Sequence, residues 1–192
     1  MRCLGRSRSR RTAPDLQATS PETGRPAAPS LASATLPRVW QGIGYRPLPD
    51  PAAARALFDF AAVPWPDTPL ALAWGAYVAG ARGERLVGAV AGEQDRRDVL
   101  LHGPVVSTAD GPDDPLEVAA QLVAVALDHV TALGAATVFA RPQGLDRVWV
   151  RFGFIPVPEV TLPSALAGRS GVGLYAWRGG SALWTLRAAV DS

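Results

Sequence analysis

The sequence has no lysine and no asparagine, one cysteine, one methionine and two histidines. The single cysteine, Cys3, rules out an intrachain disulfide and a cysteine-held metal, and it fits a reducing cytoplasm. With only His102 and His129 as further soft ligands, no metal is expected to be bound. Long apolar runs are missing too. Nothing approaches the roughly 18 residues of a membrane span, and the start lacks the apolar core of about 7 to 15 residues that marks a secretory signal. No membrane partner is therefore expected. All nineteen basic residues are arginine, among abundant alanine, glycine and proline, the composition of a GC-rich coding sequence.

Charge is divided unevenly along the chain. Residues 1–38 hold seven arginines against Asp15 and Glu22, a net of +5, whereas residues 39–192 hold twelve arginines against fifteen acids, a net of −3. An acidic folded part has no electrostatic footprint for a phosphate backbone, so nucleic acid is expected only through the arginine-rich start. Residues 12–37 are rich in Pro, Ala, Ser and Thr and have no apolar period, so they cannot bury enough surface to offset their ordering entropy. Residues 1–37 are read as a disordered tail, and residues 38–192 as one domain. The start resembles an organelle transit peptide, but a disordered extension, or a start codon set too far upstream, is the favoured reading. With 192 residues and 48% hydrophobic content, the chain can bury one sizeable core.

Residues 39–46 read as a first strand. Asp50 before Pro51 reads as the cap of a helix over 52–62 with Leu57, Phe58 and Ala61 inward. Pro64, Pro66 and Pro69 break regular structure. Residues 70–79 and 86–91 read as a hairpin, and residues 93–98, with Glu93, Asp95, Arg96, Arg97 and Asp98, as a solvated charged turn. A fourth strand begins at residues 99–102, must bulge or kink at Gly103-Pro104, and resumes with Val105-Val106. A long helix over 115–133, a buried strand over 135–140 and a short helix ending at Phe154 follow. Two late strands, 172–177 and 182–187, join at Gly179-Gly180.

Strand, helix and parallel strand make a βαβ unit, whose ligands bind beyond the strand end at the helix N-terminus, here residues 106–120. The long helix keeps only a thin polar stripe, Glu117, Gln121, Ala124, Asp128 and Thr131, so it is expected to be buried on most sides. Its start, Asp114-Pro115-Leu116-Glu117, reads as a self-satisfied cap: the aspartate accepts from the N3 N–H, proline removes a donor, and the glutamate reaches back to the N-cap N–H.

The element order, the Gly103-Pro104-Val105-Val106 bulge, the spacing from Leu122-Val123 to Gly134 and the segment Val148-Trp149-Val150-Arg151-Phe152-Gly153-Phe154 resemble the GNAT acyltransferase superfamily. The resemblance covers about residues 39–187. It implies an α/β (α+β) fold with a central mixed sheet of about six to seven strands flanked by helices. It also implies that acetyl-CoA or another acyl-CoA lies between the fourth strand and the long helix, against Val105, Val106, Val118, Ala119 and Ala120. The family's Arg/Gln-x-x-Gly-x-Gly/Ala pyrophosphate signature falls on residues 114–119, where only Ala119 matches and Asp114 and Glu117 fill the anion site.

Trp149 stands where the family often has a catalytic tyrosine. Its indole cannot deliver a proton at neutral pH, and Leu145, Val148, Trp149 and Phe152 read as a core face. His102, before the bulge, is the candidate base, while His129 is expected to be solvent-exposed or bonded to backbone. Three functions are carried forward, the least favoured a nucleic-acid-associated protein acting through the arginine-rich start. The first is acyl transfer to a small-molecule or protein amine. The second is a non-catalytic domain of the same fold that binds a protein partner or another ligand, for which arginine-flanked Trp149 and Trp177 would serve if exposed.

Overall fold

The computed structural model describes residues 29–66, 69–81, 83–108, 114–167 and 183–187. Its elements are α1 (Leu31–Ala34), β1 (Arg38–Trp40), β2 (Ile43–Pro47), a 3-10 turn (Pro51–Ala54) leading into α2 (Arg55–Phe60), β3 (Leu72–Gly80), β4 (Gly83–Asp95) and β5 (Asp98–Val106). After them come α3 (Pro115–Ala132), β6 (Thr137–Ala140), α4 (Asp146–Arg151), β7 (Ile155–Pro156), a 3-10 turn (Glu159–Thr161), α5 (Ser164–Ala167) and β8 (Trp184–Arg187). The strands form one mixed sheet in the order β1-β2-β3-β4-β5-β6-β8-β7. Within it β5 and β6 run parallel and every other neighbouring pair is antiparallel.

Among the described residues the sheet has eight strands, against the six to seven expected. Residues 39–46 are two strands around a turn at Gln41-Gly42, both with positive φ, and Ile155–Pro156 adds a short edge. Strand alternation then sorts the side chains. Trp74, Val90, Val99, Leu101 and Val138 lie in the core beneath α3 and α4, with Trp149 and Phe154. On the opposite face Ala73, Ala89, Ala91 and Val105 pack with Phe58 of α2, and Leu100 and Phe139 pack with Leu166 of α5.

The α3 cap forms: Asp114 Oδ1 accepts from the Glu117 N–H at 3.1 Å, with Pro115 in the first turn. The helix lies directly on β4, because a Cβ at Gly88 would come within 3.1 Å of Leu122 Cδ1. The fourth strand of the sequence reading is continuous. His102 pairs with Ala91 and Val105 with Ala89, so the intervening Gly103-Pro104 bulge out opposite Val90. Gly103 takes φ +85°, which favours glycine.

Several expectations are corrected. Ala61 is exposed, because α2 ends at Phe60 and turns away. Residues 93–95 are not turn but strand, paired with residues 98–100, so the tip is Arg96-Arg97 alone. His129 is buried and takes a hydrogen bond from a side chain, Trp74 Nε1, at 3.1 Å. It stands four residues after Val125 and seven after Leu122, both buried, and shares their face. The segment read as tail contains α1, whose Ala34 is buried against α3. The strand expected over 172–177, with Trp177, lies outside the described residues, and the one expected over 182–187 appears as β8. Among the described residues no helix is long and apolar enough to cross a membrane.

Candidate functional site

The parallel pair β5 and β6 separates early. Their pairing covers Asp98–Leu101 against Thr137–Ala140, and β5 then runs five residues further with no β6 partner. Between that bare edge, the first turn of α3 and the turn before α4 lies a cleft of about 340 Å³, walled chiefly by Pro104, Val105, Val106, Leu116, Ala119 and Leu145. Leu116 is half exposed although apolar, because it faces this cleft rather than the core. The walls suit an uncharged chain with few polar groups.

The helix start beside the cleft is closed as an anion site. Asp114 uses the Glu117 N–H and Pro115 has none, so the N–H groups of Leu116 and of Asp114 itself remain. Glu117 does not reach back to the N-cap N–H. Its carboxylate accepts from Gln121 Nε2 and from Arg151 Nη1, each at 2.8 Å. The Arg151 bond, and then the Gln121 bond, hold Glu117 below the usual carboxylate range.

Of the residues assigned to the cofactor, Val105, Val106 and Ala119 line the cleft. Val118, on the other side of the helix, lines a second cavity, and Ala120 is buried in the core. His102 does not line the cleft but stands two residues before Pro104, which does. Its Nε2 lies 2.9 Å from Glu93 Oε2, with the Glu93 side chain wholly buried and that of His102 at 16% exposure. Where Glu93 is ionised it can only accept, so Nε2 carries the hydrogen and Nδ1 keeps its lone pair. No partner of Nδ1 is present among the described residues. A carboxylate thus fixes the ring and its tautomer and leaves Nδ1 with its lone pair.

Sequence reasoning missed Glu93 by ending its strand at residue 91. Two more residues of alternation put it on the face of Ala89 and Ala91, diagonal to His102. It also missed Arg141, which follows Ala140 on β6 as His102 follows the paired Leu101 on β5. Arg141 is buried and donates to Glu159 through Nη1 and Nη2, at 2.5 and 2.7 Å. Trp149 is a core anchor with no exposed surface, stacked edge-on to Phe154 at 4.7 Å, and therefore cannot serve a partner surface.

The second cavity, about 370 Å³, lies across α3 from the cleft, between the β1–β2 turn and Asp114, Glu117 and Val118. Tyr45 lines it, with 1% of its surface exposed and a hydroxyl that has no hydrogen-bond partner. Burial first, and then the charge of Glu117, push that hydroxyl up to about 12.

No family model matches the sequence, and no curated protein matches it. Among solved structures, N-acetylglutamate synthase from Neisseria gonorrhoeae, complexed with coenzyme A and N-acetyl-glutamate, superposes with a TM-score of 0.55 at 16% identity, over 78% of this chain and 35% of that one. The same enzyme complexed with coenzyme A and L-arginine gives 0.54 at 14% identity, over 77% and 34%. An acetyltransferase from Streptococcus agalactiae 2603 gives 0.52 at 13% identity, over 78% of this chain and 100% of that one. The chain thus spans about a third of the synthase's length. Likeness at such identities is one of fold, and the fold this chain adopts is that of the GNAT N-acetyltransferases.

Proposed function

We propose that this chain is an N-acyltransferase that moves an acetyl or other acyl group from acyl-CoA to an amine, with residues 38–192 as the working unit and the cytoplasm as its place. The observation that carries the reading is the cleft opened where β5 and β6 part, since its apolar walls fit a pantetheine arm against the bare β5 edge. The acceptor, a small-molecule or protein amine, attacks the thioester carbonyl carbon through its nitrogen lone pair. The C–S bond breaks, the sulfur leaves as the CoA thiolate, and the ammonium proton passes to His102 Nδ1, directly or through one water. Glu93 holds the ring for that transfer. The α3 start does not fit a pyrophosphate in the usual way, because Asp114 occupies one N–H, Pro115 lacks another and the Asp114 carboxylate repels an anion, so the diphosphate stays toward solvent.

Asp114 also favours a second reading, a non-catalytic domain of this fold that binds a protein partner or another ligand, since its carboxylate occupies the donors and repels an anion. Acetyl-CoA separates the two. Under the first reading it raises the melting temperature, with about 2.7 kcal/mol added at 100 times its Kd. CoA is then released on adding an amine panel, and His102→Gln lowers kcat. Under the second the wild type shows no shift, while Asp114→Gln with Glu117→Gly admits CoA at a cost in stability.

A further inference from the structure

The cleft where β5 and β6 part is uncharged along its whole wall. Among the described residues that line it, only Thr108 and Gln143 have polar side chains, and none is a cation. The bare edge of β5, five residues beyond its pairing with β6, runs for about 16 Å at about 3.3 Å per residue. A pantetheine arm, with two amides between its sulfur and its terminal hydroxyl, matches about four residues of extended chain, about 13 Å. With the thioester at the His102 end, the arm is used up along this edge. Whatever the arm is attached to then emerges past Val106, at Thr108 and the first turn of α3, where Pro115 and Leu116 line the cleft.

A helix start with open donors would hold a diphosphate there. This one does not offer them. Pro115 has no N–H, the Glu117 N–H is taken by Asp114 Oδ1 at 3.1 Å, and the exposed Asp114 carboxylate stands at the helix start itself. The arginines of α4 do not reverse this. Arg151 is bonded to Glu117 at 2.8 Å, and Arg147, one turn earlier, is exposed and follows Asp146. The nucleotide half of an acyl-CoA, which carries several negative charges, thus meets a carboxylate within the range over which salt at about 0.1 M leaves charges interacting, about 10 Å. The pantetheine half meets none.

We propose that the donor this cleft recognises is an acyl-pantetheine thioester without a nucleotide, and that Asp114 is the residue that disfavours acyl-CoA. The inference rests on the acyl-transfer reading and changes its donor, not its chemistry. The amine nitrogen attacks the thioester carbonyl carbon, the C–S bond breaks with its electron pair going to sulfur, and the proton lost by the ammonium ends on the pantetheine thiol.

Calorimetry on the full chain with S-acetylpantetheine and with acetyl-CoA tests this. S-acetylpantetheine should bind about fivefold tighter, with the gap closing as salt rises and screens the repulsion. Asp114→Asn keeps the helix cap, since asparagine caps as well as aspartate. It should tighten acetyl-CoA about threefold while leaving the affinity for S-acetylpantetheine and the melting temperature unchanged. Leu116→Ser, at a half-exposed wall position, should weaken both ligands alike and so assign both to the cleft. Acetyl-CoA binding as tightly as S-acetylpantetheine or tighter, or an Asp114→Asn variant that keeps the two affinities in the wild-type ratio, would overturn the inference and leave acyl transfer from CoA standing. Binding of neither ligand would overturn both.

Discussion

Under α3 and α4 the sheet presents Trp74, Val90, Leu101 and Val138 to Trp149, Leu122 and Val123, and stability there is spread over many apolar contacts. The opposite face of the same strands carries Glu93, His102 and Arg141 among Ala91, Leu100 and Phe139, where stability depends on a few charged pairings. The first face is costly to hollow out but indifferent to which proton sits where. The second is sensitive to the loss of one partner, since a charge left alone in a low dielectric is expensive.

Hollowing the apolar face should give the largest effect. Trp149→Ala is expected to lose about 3 to 5 kcal/mol in urea unfolding, and Trp149→Phe far less, because a ring still meets Phe154. Comparable small losses for both would erase the contrast between the faces. The charged face comes next. His102→Ala should destabilise by about 1 to 3 kcal/mol by withdrawing a partner from buried Glu93. Adding Glu93→Gln should recover part of that loss, since a neutral amide tolerates burial better than a carboxylate. If the two losses simply add, the pair does not act as a unit.

His129 is the titratable exception on the apolar face. Burial lowers its pKa, so the unfolded chain takes up its proton first, and stability is full above the ordinary imidazole value of about 6.5 and declines as pH falls below it. Protonation also removes the lone pair that accepts from Trp74, a hydrogen bond of about 0.5 to 1.5 kcal/mol. His129→Gln should flatten the pH dependence of the unfolding midpoint between neutrality and about pH 5; an unchanged slope would assign the acid loss elsewhere. The smallest effect is expected at the surface. Arg151→Met should cost at most about 1 kcal/mol, because the pair is half in water, and should raise the pH at which Glu117 titrates, read by NMR. Glu117's share of stability is present above the unfolded carboxylate value and lost as pH falls through the lower folded one, so the variant loses it at higher pH.

What the sequence disclosed follows the length of its signals. The cap at Asp114, the helix behind it and the bulge at Gly103-Pro104 were legible because each has strong local chemistry. Glu93 was not, because a charge run at a hairpin tip looks solvated unless the strand is known to continue, and that continuation is decided by pairing with residues 98–100. His129 was within reach, since its spacing from Leu122 and Val125 already set it on the buried face. The turn at Gln41-Gly42 carries no paired glycine or asparagine signal, and the hairpin became a single strand in the sequence reading.

The sheet begins with β1, three residues long and exposed throughout, and ends with β7, two residues long with Pro156 in one of its two places. Strands so short offer an incoming chain few unpaired N–H and C=O groups, and proline withholds one of those. Among the described residues, a neighbouring molecule seeking to add itself edge to edge finds little template at β1 or β7, and the same brevity makes these two strands hard to see in the sequence.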